Sequence, residues 1–237
     1  MRLILHFPLS IILVLAACSG GDKPAASAAA PAAPIARGPT AAQQYVLYEQ
    51  MVTADSAELA VPLGDEILKT FPQSDEARRV RETIEPLRTK ASADVERRRL
   101  GRLWAYQSGT QSGGRQSTAS IYSQDEAGAE RIRLIFRRHT EWGQSVYLFG
   151  EEPGFTCAKE CRVAIRFDDQ PEKRYLGSIP PTGEPAIFIE EDKAFLARLE
   201  KARRVSIEAT VKGKGKRTLI FEVGGYDPAK FMPLPSK

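Results

Sequence analysis

The sequence predicts an α+β protein: an N-terminal helical hairpin or three-helix segment, then a compact antiparallel β-sandwich or barrel with one inserted helix. Three observations carry that prediction. Apolar residues recur every three or four positions from Thr40 to about Leu100. From Leu103 to Val223 they recur at every second position, as on strands with one buried face. Inside that second region, EEDKAFLARLEKARR reverts to a helical period, with acids first and bases last as the helix dipole favours.

Before the helices, Met1 to Ala17 carries one early charge, Arg2, and an apolar run from Leu9 to Ala17. A membrane-spanning helix needs about 20 such residues, so the run is short for a span and suits a cleavable signal. Leu15-Ala16-Ala17-Cys18 resembles the bacterial lipobox. That resemblance implies cleavage before Cys18, a diacylglycerol on its sulfur and an acyl chain (such as palmitate) on the new amino group. Several acyl chains, at about 0.8 kcal/mol per buried methylene, make a near-permanent anchor. In that family an Asp after the cysteine favours inner-membrane retention; Ser19 stands here, which implies the periplasmic side of the outer membrane. The alternative is an ordinary secretory signal followed by a chance cysteine.

Residues 18–39 then form an Ala/Pro-rich tether with almost no large apolar side chains to repay the entropy of folding. At about 3.1 Å per residue, the stretch beyond Cys18 reaches roughly 65 Å at full extension.

The helical segment spans residues 40–100. Thr40 is placed to cap a first helix bearing Tyr45, Tyr48, Met51 and Val52 on one side. Leu59, Leu63, Ile67 and Phe71 make a second stripe, which Pro62 should kink or delay. Ser74 caps a third helix with Ala77, Val80, Ile84 and Leu87 on one face, interrupted near Pro86. The junction ILKTFPQSDEARRV resembles the turn between tetratricopeptide-like helical units. That resemblance implies a surface that packs on the next domain, on another subunit or on a partner, because one such unit cannot bury both its faces.

The β-rich domain spans residues 101–226, leaving 227–237 as a tail. Ile132, Leu134 and Phe136 alternate with Arg131, Arg133 and Ile135, and Val163, Ile165 and Phe167 with Arg162, Ala164 and Arg166. VSIEATV and TLIFEV alternate likewise around KGKGKR, whose Gly213 and Gly215 supply a hairpin turn. Further strands are expected near Leu103–Gln107, Thr118–Tyr122, Ser145–Phe149, Tyr175–Ile179 and Ala186–Ile189. About nine short antiparallel strands suit a sandwich or barrel. The pattern resembles small β domains of uncharacterised exported bacterial proteins, including accessory proteins of type VI secretion, and no residue role is transferred from them.

Chemistry is sparse. With Cys18 lipidated, Cys157 and Cys161 form an even pair in a disulfide-permissive compartment. Residues four apart on a straight strand lie about 13 Å apart, so the chain must turn there to join them. Three intervening residues differ from the usual redox motif, and a zinc site would need more ligands than these two thiols and His139, so no metal or other cofactor is expected. His139 in RRHTEW is the histidine left after the signal and reads as an exposed loop residue. Asp168 and Asp169 could act as an acid–base pair, yet their setting, like that of Glu151 and Glu152 before Pro153, is ordinary turn chemistry. Neither a nucleophile elbow nor a phosphate-loop spacing occurs.

The net charge of +4, or +3 once Arg2 leaves with the signal, is too small to argue for nucleic acid. Its distribution is more informative. Arg131, Arg133, Arg162 and Arg166 should project from the solvent sides of their strands, with Arg137, Arg138 and Lys173 or Arg174 nearby. If those strands are neighbours, the arginines make a ladder for anionic lipid headgroups, peptidoglycan carboxylates or an acidic protein. Glu208 and Glu222 could instead neutralise that face. The expected function is a non-catalytic binding or adaptor module for another envelope component. The alternatives are an envelope hydrolase using His139 or the Asp168–Asp169 pair, and a structural spacer or secretion-system accessory.

Overall fold

The computed structural model describes residues 38–124, 131–158, 161–231 and 233. The signal segment, Cys18 and the tether lie outside the described residues. Among those described, no helix is long and apolar enough to cross a membrane.

The chain is α+β. Among the described residues three helices come first: α1 (Ala41–Thr53), α2 (Ala57–Thr70) and α3 (Asp75–Arg102). Thr40 opens α1 with a reciprocal cap: its hydroxyl accepts the Gln43 amide, and the Gln43 side chain accepts the Thr40 amide. Ser74 caps α3 through the Ala77 amide. The helices share their own core, built on Tyr48, Ala60, Ile67, Ala77, Val80 and Ile84. Burying each of the larger aliphatic side chains contributes about 1.5–3 kcal/mol.

Two details depart from the sequence expectation. Pro62 does not delay α2, which begins five residues before it; it lies exposed inside the helix and forfeits one backbone bond on the solvent side. The buried stripe also rotates away from Leu59, which is exposed, onto Ala57, Ala60, Gly64 and Ile67. Gly64 explains the rotation, since a Cβ there would lie 2.9 Å from Ile84 and 3.0 Å from Tyr48. The helices approach closely over small residues, and the bulky Leu59 is left outside.

Pro86 likewise fails to end α3, whose 28 residues run on to Arg102. The second half of that helix leaves the helical core and reaches the sheet. There Arg99 forms a two-pronged pair with Glu222, with both contacts between 2.8 and 2.9 Å.

Among the described residues ten strands follow, all paired antiparallel: β1 (Trp104–Gln111), β2 (Gly114–Tyr122), β3 (Arg133–His139), β4 (Gly143–Phe149), β5 (Phe155–Thr156), β6 (Arg162–Phe167), β7 (Lys173–Ser178), β8 (Ala186–Ile189), β9 (Val205–Val211) and β10 (Gly215–Phe221). Their order is β1-β2-β3-β4-β8-β7-β6-β9-β10, with the short β5 added on β9. The sheet curls on itself: Gln124, just past β2, bridges Ile220 of β10, its amide donating to the Ile220 carbonyl at 2.7 Å. Inward residues of the expected strands fill one core, among them Leu134, Phe136, Ile165, Phe167, Ile207 and Phe221.

The inserted helix, α4 (Asp192–Leu199), is shorter than its apolar pattern suggests and presses Phe195 into that core. The Phe195 ring lies 5.2 Å from Phe167, 5.9 Å from Phe136 and 6.1 Å from Tyr175, so α4 plugs the curled sheet. The C-terminal segment is more than a tail. Phe231 is fully buried in the same core, and Arg138 holds it by donating to the Phe231 carbonyl at 2.6 Å.

Candidate binding face

Strand order decides what becomes of the arginines. Arg133 lies on β3, Arg162 and Arg166 lie on β6, and β4, β8 and β7 separate the two strands. The four arginines therefore do not form one ladder. Arg162 and Arg166 stay exposed on β6, whereas Arg131 and Arg133 join an aromatic face on the other part of the sheet. The acids expected to neutralise them pair elsewhere: Glu222 with Arg99 of α3, and Glu208 with Lys216 of the facing strand.

The register builds the aromatic face. Tyr122 stands opposite Arg133, Arg133 opposite Phe149, and Tyr147 opposite Phe188, all projecting outward from β2, β3, β4 and β8. The Arg131 guanidinium lies 4.7 Å from the Tyr122 ring centre, and Arg133 lies 5.4 Å from that of Phe149. Arg137 sits among three rings, 5.0 Å from Trp142, 5.4 Å from Tyr147 and 6.0 Å from Phe188. Tyr147 and Phe188 stack with centres 4.9 Å apart. Each cation held over an aromatic face gains about 0.5–2 kcal/mol, which offsets part of its desolvation. Among the described residues no carboxylate lies within ion-pair distance of Arg133 or Arg137. Burial pushes the Tyr147 phenol up, and the positive charges of Arg137 and Arg133 work against that rise.

A cavity of about 380 Å³ opens beside Arg137, walled by Trp142, Tyr147, Phe149 and Phe188 and edged by Gln111, Thr182 and Glu184. Its size and its mix of aromatic wall with a few polar groups suit a small-ligand site. Sequence placed Arg137 only near the expected arginine ladder, and neither Trp142 nor this cavity was singled out. The signal was present, because aromatic residues occupy the outward positions of three strands, but only the pairing of β4 with β8 brings them together.

His139 is not an exposed loop residue. It ends β3 at 3% exposure, stacked on Trp142 with ring centres 3.8 Å apart. Nδ1 accepts the Glu141 amide at 3.1 Å, so Nε2 carries the proton and donates to the Gln111 carbonyl at 2.9 Å. Both nitrogens are engaged in joining the β1–β2 hairpin to the β3–β4 turn. Gly114 makes this possible, since a Cβ there would fall 2.3 Å from the imidazole.

Asp168 also has a structural post. It takes a left-handed backbone, φ +48°, and one carboxylate oxygen accepts the amides of Arg203 and Arg204 at 2.9 and 2.8 Å, tying the β6–β7 turn to the chain entering β9. Asp169 is exposed beside it, and the cavity these two aspartates line does not include His139. Glu151 and Glu152 lie exposed in the turn before β5. Cys157 and Cys161 are joined in a disulfide with Cα atoms 5.1 Å apart, so the chain does turn between them. Among the described residues no three His, Cys, Asp or Glu gather as metal ligands.

The fold and this face define an α+β protein: a helical segment docked on a curled antiparallel sheet with an outward aromatic–arginine surface. No family model matches the chain, and no curated protein matches it. Among solved structures it is similar to invasion associated protein B from Bartonella henselae, at 18% identity over 54% of this chain and 87% of that chain, with a TM-score of 0.38.

Proposed function

We propose that the chain is an outer-membrane-anchored periplasmic lipoprotein that acts as a non-catalytic binding or adaptor module for another envelope component. The anchor rests on the lipobox resemblance at Cys18 and on the Ala/Pro-rich tether. The observation that carries the binding role is the outward aromatic–arginine face. Four strands there turn large rings and guanidiniums outward, and among the described residues Arg133 and Arg137 have no carboxylate partner, a combination enriched in recognition surfaces. The hydrolase alternative gains little, since both His139 nitrogens and one oxygen of Asp168 are occupied in holding turns.

Photo-crosslinking in intact cells tests the role, with probes at Tyr122 and Arg133 on the face and a control probe at Arg166 on β6. Capture of a discrete envelope component from the first two positions and not from the third is the expected result. Equal capture from all three, or none, would overturn the reading. Cys18→Ser in the same cells should release the protein from the membrane fraction.

A further inference from the structure

The cavity beside Arg137 shows what kind of molecule it is built to hold. Its wall is aromatic: Trp142 is 47% exposed, and the stacked Tyr147–Phe188 pair lies next to it. Its rim carries both signs of charge. Arg137 uses Nε on Ser145 at 3.2 Å, which orients the guanidinium and leaves its terminal nitrogens to donate. Glu184 faces the same space and is held by the Thr182 hydroxyl. Hydrogen bonding from Thr182, then from backbone, with the nearby Arg137 charge, keeps the Glu184 carboxyl below its ordinary range, so it is an acceptor at neutral pH. Gln111 receives the Gln116 amide on its side-chain oxygen, which leaves its own NH₂ to donate.

These features work against a ligand of one charge and against a wholly apolar one. An anion attracted by Arg137 would meet the Glu184 carboxylate, and a cation attracted by Glu184 would meet Arg137. A wholly apolar ligand would strip water from several polar side chains and pair with none of them, at a cost that removes its advantage. What fits is a neutral ring with an apolar face to lie on an aromatic plane and an edge of hydroxyls that both donate and accept. We propose that this cavity binds a sugar ring of an envelope glycan, stacked on Trp142, with its hydroxyls shared between Arg137 and Glu184.

The volume, near the lower end of the roughly 300–1,000 Å³ range for small-ligand sites, is enough for a short piece of glycan. This inference rests on the binding-module reading and names the ligand class for the same face. Two sources share the chemistry: an N-acetylated aminosugar strand such as the peptidoglycan backbone, and an unacetylated hexose polysaccharide.

The test is a fluorescence titration of the full-length protein in detergent micelles with an N-acetylglucosamine tetramer and, separately, a glucose tetramer. The chain has two tryptophans and Trp104 is buried at 6% exposure, so a change in emission reports Trp142. A saturable change with at least one tetramer is expected, and the one that binds names the source. Trp142→Ala removes the reporter, so it is titrated by calorimetry, where the binding heat of the wild type should be lost. Because Trp142 also covers His139, Glu184→Ala is the safer variant: its carboxylate is exposed and bound within its own loop, and it should weaken binding about tenfold or more. Tyr122→Ala, outside the cavity, should bind as the wild type does. No saturable change with either tetramer up to about 10 mM, or unchanged binding by Glu184→Ala, would overturn the proposal. A protein captured by crosslinking at this face with no tetramer bound would end the sugar assignment and leave the binding-module reading standing.

Discussion

Replacing Gly225 by alanine would set a methyl group 2.2 Å from the Leu100 carbonyl carbon, 2.4 Å from its oxygen and 2.5 Å from the Gly101 nitrogen. All three are backbone atoms of α3, so none can swing aside as a side-chain tip would. Relief requires the end of the helix or the segment after β10 to move, which opens the seam held by Arg99 and Glu222. Overpacking costs about 1–3 kcal/mol, and a clash with backbone belongs at the upper end, about 3 kcal/mol. For a folded region of this size each kcal/mol moves the thermal midpoint by about 2–4 °C, so Gly225→Ala should melt about 6–12 °C lower by circular dichroism. Gly101→Ala is the matched control. It lies in the same helix end with nothing within 4 Å of the added carbon, and alanine in a helix should leave stability unchanged or raise it by up to about 1 kcal/mol. Equal midpoints for Gly225→Ala and the wild type would refute the argument that α3 docks on the sheet by direct backbone contact.

Two further outcomes are expected. Phe195→Ala should destabilise by about 3–5 kcal/mol in urea denaturation, because it empties the centre of the aromatic plug between Phe136, Phe167 and Tyr175; a loss under about 1 kcal/mol would show that α4 merely lies on the surface. Glu222→Gln should flatten the acid side of the stability curve. Hydrogen bonding to Arg99 holds the Glu222 carboxyl below its ordinary value, so its contribution is present above about pH 4.3 and is lost as pH falls through the lower folded value. Melts between about pH 3 and 7 should therefore fall less steeply in the variant, and identical slopes would remove Glu222 from the linkage.

Much of the architecture was legible because burial leaves a period. Ile132, Leu134 and Phe136, or Val205, Ile207 and Ala209, alternate for a sheet with one dry side, and the structure buries each of them. The caps at Thr40 and Ser74 were readable because a hydroxyl before an apolar run answers a local need of the backbone. Where the reading went astray, a non-local contact had taken over. Leu59 matched the four-residue spacing but lost its place to Gly64, whose value lies in how near Tyr48 and Ile84 can come. Pro62 was expected to kink its helix or delay its start and Pro86 to interrupt the next, yet both helices run through them, the packed side of each outweighing one missing hydrogen bond on the exposed side. Phe231 looked like part of a tail because nothing within a few residues of it reveals that Arg138 and the core receive it.

The sequence alone settled the class, the order of helices before strands, the inserted helix and the inward faces, since these depend on period, caps and turns within a few residues. It also supplied the cysteine pair whose short loop the disulfide closes. The aromatic–arginine face was decided by tertiary structure. Arginines on β3 and β6 have the same alternation, and only the strand order, with three strands between them, sends one pair to the aromatic rings and leaves the other exposed on β6. Pairing between strands distant in sequence depends on the whole sheet, and so does any site made from their outward side chains.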